Sequence, residues 1–172
     1  SGRMNLGVVT VNLPRIALES EGDLNKFWEI FNERMNIAED ALVYRVERTK
    51  EATPANAPIL YQYGAFGRRL GKEESVDQLF KNRRATISLG YIGLYEVATV
   101  FFGNNWENNP EAKEFTLDII RDMKRRVEEW SDQYGYHFSI YSTPSESLTD
   151  RFCRLDTEKF GSIPDITDKE YY

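Results

Sequence analysis

Hydroxyl side chains are concentrated in residues 141–147, where the sequence Tyr-Ser-Thr-Pro-Ser-Glu-Ser follows an apolar run. Pro144 suits the first turn of a helix, so the stretch predicts a turn from a strand into a helix. Free amides at such a helix start could hold a phosphate group, and the hydroxyls could complete the site. A second interpretation is a capping box, in which Thr143 caps the helix and Glu146 reaches back. Pattern alone favours the cap, because the charge of Glu146 would oppose a phosphate.

The other candidate residues give weaker signals for chemistry. The run Gly90-Tyr91-Ile92-Gly93 could let a backbone approach a ligand, but it lacks the third glycine of a dinucleotide-binding fingerprint. His137 opens an apolar run beside aromatic residues, which favours a structural role. Cys153 has no second thiol and no evident base, so packing is its simpler interpretation.

The elements that must position residues 141–147 alternate between strands and helices. Runs of β-branched and apolar residues predict strands at 7–13, 85–89 and 138–142. Apolar residues three or four apart predict helices that begin near Asp23, Leu94, Pro110 and Leu148. Long helical connections rule out tight hairpins, so we expect an α/β fold with largely parallel strands and helical crossovers.

The carboxyl ends of parallel strands are the usual place for a ligand in such a fold. Three short segments follow the predicted strands, at 12–15, 90–93 and 142–147. Between the first helix and the second strand, proline and glycine residues from Thr53 to Gly71 predict an ordered but irregular connection.

Composition limits the class of protein. The net charge of −6 gives no general footprint for nucleic acid, and no apolar stretch is long enough for a membrane span. The single cysteine cannot form an internal disulfide, which favours a reducing cytoplasm. The length of 172 residues fits one domain or part of one. A strand-like run begins almost at the first residue and no polar tail follows Tyr172, so we expect a fragment.

Three long motifs follow one another along the chain. They are Gly-Val-Val-Thr-Val-Asn-Leu-Pro-Arg-Ile-Ala-Leu at 7–18, Ala-Thr-Ile-Ser-Leu-Gly-Tyr-Ile-Gly-Leu-Tyr-Glu at 85–96, and Tyr-Ser-Thr-Pro-Ser-Glu-Ser-Leu-Thr-Asp-Arg-Phe at 141–152. In order and spacing they resemble successive motifs of the anaerobic ribonucleoside-triphosphate reductases. The resemblance runs over essentially the whole chain, and three long motifs in order are far more specific than the short patterns above.

The resemblance implies a fold and an activity. Members of this family are oxidoreductases that reduce ribonucleotides to deoxyribonucleotides, through a cysteine thiyl radical generated by a stored glycyl radical, inside a ten-stranded α/β barrel. Residues 1–172 would be a single segment of that catalytic barrel domain. A turn resembling residues 143–147 holds the substrate phosphates in the family, which reverses the preference for a cap. The implied phosphate-binding residues are Thr143, Pro144, Ser145, Glu146 and Ser147.

The resemblance also implies a contact to the ribose. An asparagine just beyond the radical cysteine loop lies near the ribose in the family, and Asn5 and Asn12 are the two candidates, with Asn5 preferred. An amide suits this role because it can donate to and accept from hydroxyl groups without titrating.

Several parts of the family pattern are missing from this sequence. The radical cysteine loop is expected before Ser1, and the cysteine pairs that bind zinc and the glycyl-radical loop are expected after Tyr172. The chain alone is therefore expected to be inactive. For the full-length protein the resemblance implies a homodimer, nucleotide effectors and a radical-generating activase, and no direct contact with nucleic acid or membrane.

Two other interpretations remain open. The chain could be a stand-alone α/β module that binds a small phosphorylated ligand or a protein partner. It could also be a purely structural domain in which residues 143–147 only cap a helix.

Overall fold

The computed structural model describes residues 4–50, 85–142, 147–168 and 172. Its described strands form one parallel sheet in the order β1, β2, β3, where β1 is Met4–Asn12, β2 is Ala85–Ile92 and β3 is His137–Ser142. The predicted α/β class and the predicted parallel strands are confirmed. The irregular connection predicted from Thr53 to Gly71 lies outside the described residues.

The middle strand, β2, is longer than predicted. Gly90 and Tyr91 continue the strand instead of closing it, and the turn comes only at Gly93. Because β2 pairs on both edges, its backbone groups are held by neighbours on two sides, which lets a glycine remain within the strand. Ser88 and Leu89 point to opposite faces of the sheet and are both buried, as expected for a strand covered on both faces.

The helices alternate with the strands as the apolar spacing predicts. The four predicted helices are α2 at Leu24–Lys50, α3 at Leu94–Phe102, α4 at Pro110–Tyr134 and α5 at Ser147–Phe160. A short 3₁₀ helix covers Trp106–Asn108. The sequence prediction missed α1 at Leu13–Glu19, which follows β1 without a loop. Pro14 stands in the first turn of α1, so this proline both ends the strand and begins a helix.

The chain divides into two compact units. The first unit consists of residues 1–9, 37–89 and 124–140. In it the Ser131 hydroxyl joins the end of α4 to the start of β3, because Ser131 Oγ accepts from the Phe138 amide at 3.0 Å and donates to the Val127 carbonyl at 2.7 Å. Trp130 packs edge-on against Phe138, and the Tyr134 hydroxyl donates to Glu39 at 2.7 Å.

The second unit consists of residues 10–36, 90–123 and 141–172. Its core is an aromatic cluster at the start of α2, the end of α3 and the first half of α4. Phe27 lies at the centre with no exposed surface, and its ring contacts Trp28, Phe31, Phe101 and Phe115. The carboxyl ends of all three strands belong to this unit, which therefore contains the edge where a ligand was predicted.

Candidate functional site

The first element at this edge is the junction between β1 and α1. Asn12 is the last residue of β1 and the N-cap of α1, and its Oδ1 accepts from the Arg15 amide at 3.2 Å. An asparagine suits this position because its side chain satisfies an amide that has no partner within the helix. The cap leaves the Asn12 Nδ2 atom directed toward α5, where it donates to Asp156.

Asp156 is a fully buried carboxylate that receives three hydrogen bonds. Asn12 Nδ2 donates to Oδ2 at 2.9 Å, Arg15 Nε donates to Oδ1 at 2.6 Å, and the Tyr172 hydroxyl donates to Oδ2 at 2.6 Å. A buried charge requires such partners, because the carboxylate has lost its contact with water. The carboxyl end of β1, the first turn of α1 and residue 172 are thereby all bound to α5. We call these four residues, Asn12, Arg15, Asp156 and Tyr172, the Asp156 cluster.

The tyrosine of the Asp156 cluster is held in its protonated form. Burial raises the pKa of Tyr172, and the hydrogen bond to Asp156 raises this pKa further. The negative charge of Glu96, a buried residue on α3, acts in the same direction. Tyr172 therefore remains a hydrogen-bond donor to Asp156 throughout the neutral pH range.

A second carboxylate lies nearer the surface. Glu19, at the end of α1, pairs with Arg34 at 2.7 Å, with Lys159 at 3.5 Å and with Arg15 at 3.9 Å. Ion pairs that water reaches contribute little to stability singly, but Arg15 also belongs to the Asp156 cluster. The Arg15 guanidinium lies over the Phe160 ring at 5.7 Å, which adds a cation–π contact to the end of α5.

Gly93 has a packing role at the junction between β2 and α3. Its φ of +74° is left-handed, and a Cβ added there would overlap the Cγ and Cδ atoms of Pro14. The absence of a side chain therefore allows α1 to pack directly against α3. This contact accounts for the second glycine of Gly90-Tyr91-Ile92-Gly93 without any ligand.

Of the predicted site residues, the structure describes Asn5, Asn12 and Ser147. Thr143, Pro144, Ser145 and Glu146 lie outside the described residues, and Ser147 is the first residue of α5. Asn5 lies in β1 in the first unit, whereas Asn12 lies in the second unit. The roles proposed for these residues stay predictions.

Sequence reasoning missed Asp156 and Tyr172, and it placed Arg15 at the carboxyl end of the first strand without a specific role. A signal for Asp156 was available, because it stands three positions after the buried Cys153 and so continues the apolar face of α5. A carboxylate on a buried face predicts a buried partner. Neither the identity of that partner nor the contact with residue 172 could be read from spacing. Cys153 itself is buried, which supports packing as its role.

Comparison with known proteins identifies the family. The family model for anaerobic ribonucleoside-triphosphate reductase matches residues 1–172. The chain belongs to this family. The anaerobic ribonucleoside-triphosphate reductase of Escherichia coli is 48% identical over 172 residues, which are 99% of this chain and 24% of that protein. The reductase of Enterobacteria phage T4 is 46% identical, with 99% of this chain and 27% of that protein covered.

Solved structures agree with the sequence comparison. The anaerobic ribonucleotide reductase from Thermotoga maritima, in complex with dATP and CTP, has a TM-score of 0.76 and 26% identity, covering 99% of this chain and 26% of that one. The chain thus spans about a quarter of the length of the reductases that it matches. The family predicted from the three motifs is confirmed, and the α/β fold is consistent with part of a reductase barrel.

The described residues contain neither a cluster of metal-ligand side chains nor a helix suited to crossing a membrane. They contain no group of three or more His, Cys, Asp or Glu side chains that could hold a metal ion. None of the helices described is both long enough and apolar enough to cross a membrane.

Proposed function

We propose that this chain is a segment of the catalytic barrel of an anaerobic reductase that converts ribonucleotides to deoxyribonucleotides by thiyl and glycyl radical chemistry. The observation that carries the proposal is the family match over the whole chain, together with 48% identity to a relative named for this activity. The protein would act in the reducing cytoplasm expected from its single cysteine.

We propose that residues 143–147 bind the substrate phosphates. Two features of the described residues support this. The strand β3 ends at Ser142 and α5 begins at Ser147, so the segment joins a strand to a helix start within the second unit. The first amides of a helix have no partner within the helix, and the positive end of the dipole of this 14-residue helix lies at that start. Thr143, Ser145 and Ser147 would supply hydroxyl donors, and Glu146 would accept from amides of the first turn.

We propose Asn5 rather than Asn12 as the ribose contact. The amide oxygen of Asn12 caps α1 and its amide nitrogen donates to Asp156, so this side chain already has a fixed task in the second unit. Replacing each asparagine with alanine separates the roles. Asn5→Ala should lower the turnover number with little loss of stability, whereas Asn12→Ala should mainly lower the melting temperature. The reverse pattern would assign the ribose contact to Asn12.

The radical and metal centres are proposed for other parts of the full-length protein. One cysteine and one histidine cannot supply the cysteine pairs that hold zinc in the family. The homodimer, the effector nucleotides and the radical-generating activase are likewise proposals for the full-length protein. The Thermotoga maritima structure, in complex with dATP and CTP, supports the binding of nucleotides by a relative.

The test uses the full-length reductase that contains this chain, kept anaerobic. A double variant, Ser145→Ala with Ser147→Ala, should weaken the binding of ribonucleoside triphosphate by about tenfold to a hundredfold, because it removes two hydrogen bonds to a charged group. Ser162→Ala changes an exposed serine beyond α5 and is the matched control, which should bind normally. Normal binding by the double variant would leave residues 143–147 with only a capping role. Reductase activity in the isolated chain would contradict the assignment of the radical residues to other segments.

A further inference from the structure

The Asp156 cluster binds α5 at one point along its length. Asp156 is the common acceptor of the cluster. Its three donors are Asn12 at the end of β1, Arg15 in α1, and Tyr172. All four residues belong to the second unit. The cluster therefore fixes α5 against the carboxyl end of β1 by directional bonds in addition to apolar packing.

Directional bonds fix a helix more narrowly than apolar contacts do. A buried carboxylate is costly to desolvate, and an apolar residue of similar volume would often pack the same face with no loss of stability. Hydrogen bonds of 2.6 to 2.9 Å, however, tolerate only small changes in distance and angle. A rotation or a slide of α5 would break at least one of them, so the cluster defines both the rotation and the axial position of the helix.

The start of α5 moves with the rest of the helix. Ser147 lies roughly 13 Å along the axis from Asp156 at the usual rise per residue. A helix start binds an anion well only when its amides point at the ligand, and functional groups generally need placement within about 0.5 Å. An error at Asp156 would therefore be transmitted to the first turn.

We propose that Asp156 is a positioning residue for the substrate-phosphate subsite, and that it acts by fixing α5 through Asn12, Arg15 and Tyr172. This inference rests on the proposed function, because it takes the start of α5 as the place where phosphates bind. Asp156 itself does not touch the substrate in this proposal. Its effect should accordingly appear in the binding of the phosphates and much less in the chemical step.

The test compares nucleotide binding in variants of the full-length reductase. Asp156→Asn keeps the volume but turns one acceptor into a donor. Arg15 donates to Oδ1, whereas Asn12 and Tyr172 both donate to Oδ2, so the amide can keep the bond from Arg15 or the other two bonds, but not all three. We expect the KM for ribonucleoside triphosphate to rise about tenfold, with a smaller change in kcat. The affinity for the ribonucleoside without phosphates should stay unchanged, because the variant displaces only the phosphate subsite.

A matched control is available in the first unit. Glu39 also accepts a hydrogen bond from a tyrosine, Tyr134, at 2.7 Å. Glu39→Gln should leave the KM unchanged. If Asp156→Asn fails to fold, Tyr172→Phe replaces it, since this variant removes one donor and keeps the carboxylate; it should raise the KM by a smaller factor.

Three outcomes would contradict one or both of the proposals. In the first outcome, the double serine variant weakens triphosphate binding, but the folded Asp156→Asn variant (or Tyr172→Phe in its place) binds the triphosphate normally. Asp156 is then not a positioning residue, and the phosphate subsite stands. If the double serine variant binds normally, the phosphate subsite fails, and this inference fails with it. A loss of affinity by Asp156→Asn that is equal for the triphosphate and the bare ribonucleoside would also contradict the inference.

Discussion

Replacing Gly93 with alanine should open the start of α3, and the structure gives the size of the effect. The left-handed φ of +74° costs an alanine about 1 to 2 kcal/mol. The new Cβ would also overlap two ring atoms of Pro14, which belongs to the first turn of α1 and cannot rotate away. Forced overpacking of this kind costs about 1 to 3 kcal/mol more. The total expected loss is therefore about 2 to 5 kcal/mol.

Gly135 provides the control for the backbone part of this cost. Its φ is also +74°, but a Cβ added there meets nothing within 4 Å. Gly135→Ala should therefore cost only the backbone term of about 1 to 2 kcal/mol. The difference between the two variants isolates the contact with Pro14.

Hydrogen exchange of the full-length protein measures the local loss of stability in each variant. The amides to compare lie in α3 for Gly93→Ala and around residue 135 for the control. In the unchanged protein the first helical bond of α3 runs from the Val97 amide to the Gly93 carbonyl at 3.1 Å, and amides of this turn are the ones to follow. If the two variants lose equal protection, within about 0.5 kcal/mol, the packing of α1 on α3 does not require a glycine and the reasoning is wrong.

Three further predictions concern stability. Asn12→Ala removes a helix cap and one donor to the buried Asp156, so it should lower the free energy of unfolding by about 1 to 3 kcal/mol, measured by thermal unfolding. A change below about 0.5 kcal/mol, as expected for a surface site, would contradict the cap and the hydrogen bond to Asp156. The hydrogen bond to Glu39 raises the pKa of Tyr134 from 10.0 to about 12, so the stability that this bond contributes should be complete below about pH 10 and lost as the pH rises toward 12. The difference in melting temperature between the unchanged protein and Tyr134→Phe, followed from pH 8 upward, should shrink only above about pH 10. Phe27→Ala should cost about 3 to 5 kcal/mol in chemical denaturation, because Phe27 is fully buried among aromatic rings; a loss under about 1 kcal/mol would mean that the cluster is loosely packed.

The sequence predicts the order of elements well because each pattern is local. β-branched runs and apolar spacing identified all three described strands and the helices α2 to α5. The helix α1 was missed because Pro14 was taken only as the end of a strand. A proline after an asparagine also fits the first turn of a helix, and the pattern does not distinguish the two uses.

The candidate site was less predictable because its contacts join distant parts of the chain. The bonds from Asn12 and Arg15 to Asp156 connect residues that are more than 140 positions apart. Hydrophobic periodicity places Asp156 on a buried face but cannot name a partner at that separation. The hydroxyl pattern at 141–147 indicated a helix start that could hold a phosphate, but only the resemblance to the reductases favoured phosphate binding over a cap. Phosphate binding by these residues stays a prediction.

The contacts also show that residues of the first two sequence motifs pack against each other in the fold. The first motif supplies Asn12, Pro14 and Arg15, and the second supplies Gly93. Pro14 packs on Gly93, while Asn12 and Arg15 bind the helix that the third motif begins. Much of the motif pattern is therefore accounted for by contacts within the protein, with no ligand required. The hydroxyl residues at 143–147 are the ones proposed to bind the substrate phosphates, and substitutions there test whether nucleotide binding can be separated from folding.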